Sequence, residues 1–155
     1  MFNQTLLWIS FIFPWFLLLF FHKQKIKRFM ATGFLCALIM TIIFQLGERL
    51  HWWTVKETIF PLTHLTPMIY SFYVVAPIIV LYFTFGNFWF YMLVNAVMDI
   101  IYAVGLMKWY EYLGIMEYHN INDFSRFLIL QAVAILIYWF QKWHDSSSLS
   151  GSPYA

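Results

Sequence analysis

Apolar residues run in long blocks along this chain, and polar residues gather almost entirely in the gaps between them. The first block, 6–21, carries no charge and extends outward through 2–5. A basic run follows, with Lys23, Lys25, Lys27 and Arg28. The second block, 29–46, closes at Gly47 and holds the small residues Ala31, Gly33, Cys36 and Ala37, where a second helix can approach closely. Trp52 and Trp53 sit in the polar stretch 48–57 as interface anchors. Residues 58–66 are apolar but interrupted by Pro61 and His64, and are too short to cross a bilayer. Blocks 67–85 and 88–107 flank the turn signal Gly86-Asn87, which predicts a helical hairpin. Residues 108–123 mix carboxylates with aromatics and predict a helix lying in the interface. The last block, 124–143, has Arg126 and Lys142 placed to snorkel from its ends.

A helix of about 20 residues rises roughly 30 Å, the thickness of a bilayer hydrocarbon core. The pattern therefore predicts an all-α polytopic transmembrane bundle of about five spans, near 5–21, 29–47, 67–85, 88–107 and 124–143, without β-sheet. One helical domain would cover 1–144, and the Ser-rich stretch 145–155 reads as a disordered polar tail. Composition agrees. Charged residues make up 10% of the 155, against about 25% in soluble domains, and 63% are hydrophobic. A net charge of +2, with no basic residues interleaved for base stacking, argues against nucleic acid. The bilayer is the expected partner, with another membrane protein or a second copy as further candidates.

Orientation follows from the positive charges. Four of them fall within the seven residues 22–28, which predicts that loop to be cytoplasmic. The N-terminus would then lie outside and the C-terminus inside. The positive charges follow the first apolar block rather than precede it, so that block reads as a retained span, not a cleaved signal. The single cysteine, Cys36, reads as a small buried hydrophobe.

Candidate chemistry begins with Asp99, the only formally charged residue between Thr58 and Met107. Near the bilayer midplane an acid costs about 2.5–3.5 kcal/mol on insertion scales, so it must be paired, protonated or used. Thr41 and Gln131 fall at nearly the same depth, and Gln45 is a further polar group in the second span. Tyr91, Asn95, Asp99 and Tyr102 form one stripe at helical spacing. No basic residue lies within a span at that height. The stripe reads as an interhelical hydrogen-bond clasp, a substrate or proton site, or an intersubunit contact.

A second candidate is the outer rim, where Glu48, His51, His64 and His119 accompany several carboxylates. Convergent histidines there would suit a zinc site or an acid–base pair. Their spacing matches no metal motif, and neither metal nor cofactor is expected. Ser10 and Ser71 have no neighbouring base, and GxSxG, Walker and GxGxxG patterns are all missing, so the motifs speak against an enzyme.

Several scattered positions resemble an uncharacterised family of small four- or five-span membrane proteins from Gram-positive spore-forming bacteria. These are Trp8-Ile9 with Pro14, the basic cluster after the first span, Leu46-Gly47 with Glu48, Phe60, Tyr73, Pro77 and Tyr118. The resemblance implies a bacterial cytoplasmic membrane and no particular activity. The leading expectation is an accessory subunit or assembly partner in that membrane. The alternatives are a small-molecule or proton-linked transporter or binder using Asp99, and a membrane-embedded enzyme at the outer rim. A cavity reaching Asp99 would favour the binder. Convergence of the three histidines would favour the enzyme.

Overall fold

The computed structural model describes residues 2–150, with side chains from 2 through 146. It is 77% helical, an all-α bundle as the block pattern predicts. Four helices are long and apolar enough to cross a membrane: Phe2–Phe20, Lys23–Arg49, Phe88–Tyr112 and Asp123–Ser146. The first comprises α1, Phe2–Leu17, and a closing 3₁₀ turn at Leu18–Phe20; the second is α2, Lys23–Arg49.

The expected third span is interrupted. Pro67 opens a 3₁₀ turn through Tyr70, and Ser71 breaks it from α3, Phe72–Thr84, with φ −127° and ψ −78°. Ser71 takes a partner outside its own helix, donating its hydroxyl to the Ser10 carbonyl at 2.8 Å. Turn and helix together still reach roughly 28 Å, at about 2.0 and 1.5 Å per residue. After the turn at Gly86, where φ is +107°, the Asn87 side chain caps α4, Phe88–Ile101, by accepting from the Phe90 amide at 3.1 Å. The chain runs on through a π-helical turn, Tyr102–Met107, into α5, Lys108–Tyr112.

Two expectations fail just beyond. The segment 108–123 is not an interfacial helix, because Gly114 adopts φ +70° and turns the chain out of α5. It then forms β2, Met116–Tyr118, antiparallel to β1, Trp53–Val55, so a small sheet exists where none was expected. The register pairs Trp53 with Tyr118, Thr54 with Glu117 and Val55 with Met116. Alternation explains the pairing: Trp53, Val55 and Met116 are buried, while Lys56 and Glu117 pair on the wet face.

The last helix, α6, spans Asp123–Ser150. The tail expected from 145 is therefore helical through 150, and 151–155 lie outside the described residues. Asp145 helps to hold that extension, accepting from the Gln141 amide at 2.9 Å and pairing with Arg28. Residues 58–66 do not cross, as expected. They fold over the helix ends, with Gln4 donating to the Thr58 carbonyl at 3.2 Å and Thr58 to the Leu65 carbonyl at 2.6 Å.

Helices α2, α3, α4 and α6 form a closed ring in which each packs on the next, and α1 lies outside against α3. The start of α1 is tied to the sheet end of the bundle through Asn3 and Glu57, at 2.9 Å. The end of α6 is tied to the opposite, basic end through Arg28 and Asp145. The start of α1 and the end of α6 thus lie at opposite ends of the bundle.

Candidate functional site

At the centre of the four-helix ring is a cavity of about 50 Å³, lined from every wall. Helix α2 supplies Cys36 and Met40; α3 supplies Phe72, Tyr73, Ala76, Pro77 and Val80. Helix α4 contributes Tyr91, Asn95, Met98 and Asp99, and α6 contributes Leu130, Val133, Ala134 and Ile137. Cys36, Asp99 and Val133 fall near the middle of the three long helices in the ring, so the cavity sits about midway along the bundle. Room of this size accommodates a few waters or a few heavy atoms.

Helical spacing brings Tyr91, Asn95 and Asp99 onto one face of α4, turned into this cavity. Gln131 on α6 donates its side-chain amide to Asp99 Oδ2 at 2.7 Å. Among the described residues that is the only hydrogen bond the Asp99 side chain makes, and it leaves Oδ1 free. Asn95 turns its amide nitrogen to the Tyr91 carbonyl at 2.9 Å, and its side-chain oxygen takes no partner. The Tyr91 hydroxyl is spent on the Ala134 carbonyl at 2.9 Å, so the tyrosine presents its ring rather than its oxygen. The Asp99 and Asn95 oxygens and aromatic surface remain open in the cavity, beside the Cys36 thiol.

The other intramembrane candidates go elsewhere. Thr41 bonds the Ala37 carbonyl one turn back at 2.8 Å and meets Tyr70 at 3.2 Å, and it does not line the cavity. Gln45 is exposed on α2. Equal depth is no guarantee of contact, because rotation about the helix axis decides which groups meet. Ser10 and Ser71 do meet, and Tyr110 joins them by donating to Ser10 Oγ at 3.0 Å, a polar tie between α1, α3 and α5 without a base.

Of the outer-rim residues, only Glu48 and His64 meet through their side chains among the described residues. His64 pairs with Glu48 at 2.8 Å, and His119 bonds Thr54 at 3.1 Å. His51 is exposed at φ +54°, and its carbonyl accepts from the Asn120 amide. Among the described residues no three His, Cys, Asp or Glu side chains gather as metal ligands.

A second cavity, about 40 Å³, lies between the sheet and the ring and shares Met40, Tyr73 and Leu130 with the first. Trp53 and Tyr118 reach it only through the sheet. Arg126 does not snorkel outward as expected. Its guanidinium stacks 3.7 Å over the Tyr118 ring and bonds Asp123 through Nη2, while Nε and Nη1 are buried without hydrogen bonds. Trp53 Nε1 and the Tyr102 hydroxyl are buried and unbonded on the same wall. Burial pushes the Tyr118 phenol up to about 12, so it stays a donor, and it meets Met107 Sδ at 2.6 Å. Tyr102, the last member of the α4 stripe, thus belongs to this outer cavity and not to the central one.

Compared with known proteins, the chain is matched by no family model, no curated protein and no solved structure.

Proposed function

We propose that this chain is a small polytopic membrane protein that binds a small polar molecule inside its helix bundle, with Asp99 as the principal ligand-facing group. One observation carries the reading: the Asp99 carboxylate lines a central cavity about midway along the bundle instead of being consumed wholly by packing. A clasp alone would require only the Gln131 bond. The free Oδ1, the free Asn95 oxygen and the space beside them are what a ligand site needs in addition. The accessory-subunit reading has no comparable feature in its support. In the proposed arrangement the basic end, Lys23–Arg28, faces the cytoplasm of a bacterial cell and the sheet end faces outward.

Native mass spectrometry of the chain, extracted in mild detergent from cells that produce it, tests the proposal. A low-mass adduct on the wild type that Asp99→Leu loses is the expected result. A stoichiometric partner protein with no such adduct would return the chain to the accessory-subunit reading.

A further inference from the structure

We infer that the central cavity takes a small primary or secondary alkylammonium ion. This rests on the binding role proposed above and names the chemical class of the ligand. Three features point to it together.

The first is the polarity of what remains open. Asp99 Oδ1 and the Asn95 side-chain oxygen are both acceptors without a partner, while Gln131 Nε2 is engaged at Asp99 Oδ2 and Asn95 Nδ2 at the Tyr91 carbonyl. A ligand that satisfies both must bring two donors. An ammonium nitrogen with two or three N–H groups does so; a carboxylate or phosphate brings none and would be repelled.

The second is charge. No Lys or Arg lines the cavity, so the aspartate has no counter-ion among the described residues. A single positive charge within hydrogen-bond reach neutralises it at a depth where an unpaired carboxylate is costly. Such a pair is favourable only if the remaining N–H and C–H groups meet suitable surface.

The third is the wall. Phe72, Tyr73 and Tyr91 provide aromatic surface, and Met40 and Met98 provide soft thioethers. Aromatic rings stabilise alkylated cations, whereas a bare sodium, potassium or calcium ion asks for about six oxygen ligands where this cavity has two free. About 50 Å³ suits an ion of roughly three heavy atoms, the size of ethylammonium or dimethylammonium.

The test uses the full chain in lipid nanodiscs, with its thermal unfolding midpoint followed against ethylammonium chloride. Ethanol serves as the uncharged analogue, and sodium chloride controls for ionic strength. The expected result is a saturable rise with ethylammonium alone, with apparent affinity weakened about tenfold or more in Asp99→Asn. Asn95→Leu, which leaves the Asp99–Gln131 pair intact, should also weaken it, and it replaces Asp99→Asn should that variant not fold. A saturable rise with ethanol equal to that with ethylammonium would overturn the ammonium assignment while leaving interior binding in place. An ethylammonium effect indifferent to both substitutions, or no effect at all, would also overturn it. The adduct measurement judges the broader reading separately.

Discussion

A Cβ atom built on Gly47 would lie 2.2 Å from the indole of Trp53. The last turns of α2 thus accept β1 directly against their backbone, with Trp53 also packed on Phe44 at 5.2 Å between ring centroids. Glycine is required here by contact, and the sheet over the outer cavity depends on it. Gly47→Ala is expected to displace a rigid buried ring and destabilise the protein by about 1–3 kcal/mol. Near-ultraviolet circular dichroism should register the loss of Trp53 packing, and an unchanged spectrum with unchanged stability would refute this account. Gly33 plays the same part between helices, since its Cβ would meet the Val74 carbonyl of α3 at 2.6 Å.

The Asp99–Gln131 bond separates two substitutions. Gln131→Leu leaves a carboxylate at mid-membrane without its donor and should cost about 1–3 kcal/mol. Asp99→Asn keeps the shape and an oxygen for Gln131, and should be nearly silent in stability. Thermal unfolding of both variants in one detergent provides the comparison; equal losses would mean that the bond contributes nothing.

Two tyrosines on the α4 stripe should respond oppositely to loss of the hydroxyl. Tyr91→Phe removes the bond to the Ala134 carbonyl and leaves that acceptor buried, for a loss of about 0.5–1.5 kcal/mol. Tyr102→Phe deletes a buried hydroxyl that has no hydrogen bond, so stability should hold or rise. Unfolding midpoints that rank the two the other way would contradict the bonding described.

The sheet's wet face carries a pH dependence. The hydrogen bond from Lys56 holds Glu117 below its ordinary carboxylate value of 4.5. A carboxyl lowered in the folded state stabilises it above the unfolded value, and that contribution disappears as pH falls through the lower folded value. Wild-type stability should therefore fall more steeply than that of Glu117→Gln below about pH 4.5, and less so in high salt. Parallel curves for the two proteins would remove the pair from consideration.

Orientation is open to labelling. In a Cys36→Ala background, cysteines at His51 and Asn120 should react from one side of the membrane and a cysteine at Lys25 from the other. The first two are joined by a backbone hydrogen bond of 3.2 Å at the sheet end, whereas Lys25 lies 4.9 Å from the Tyr82 ring at the basic end. Labelling of Lys25 and His51 from the same side would be incompatible with this bundle spanning a bilayer.

The placement of the helices was legible in the sequence because lipid demands apolar length, and length is a one-dimensional property; the break at Ser71, which leaves four long helices where five spans are expected, was not. The pairing of Asp99 with Gln131 could be reached from depth alone, and the stripe from Tyr91 to Asp99 from helical spacing. Depth failed for Thr41, which points to Tyr70, because rotation about a helix axis is set by neighbours and not by position along it. The sheet lay beyond reach: two three-residue strands separated by sixty residues carry too little pattern to announce their pairing. The inward turn of Arg126 is beyond reach for the same reason, since the Tyr118 ring that draws its guanidinium in is placed only by that sheet. The central cavity, too, belongs to the tertiary structure alone, because a space among four helices exists only once all four have packed.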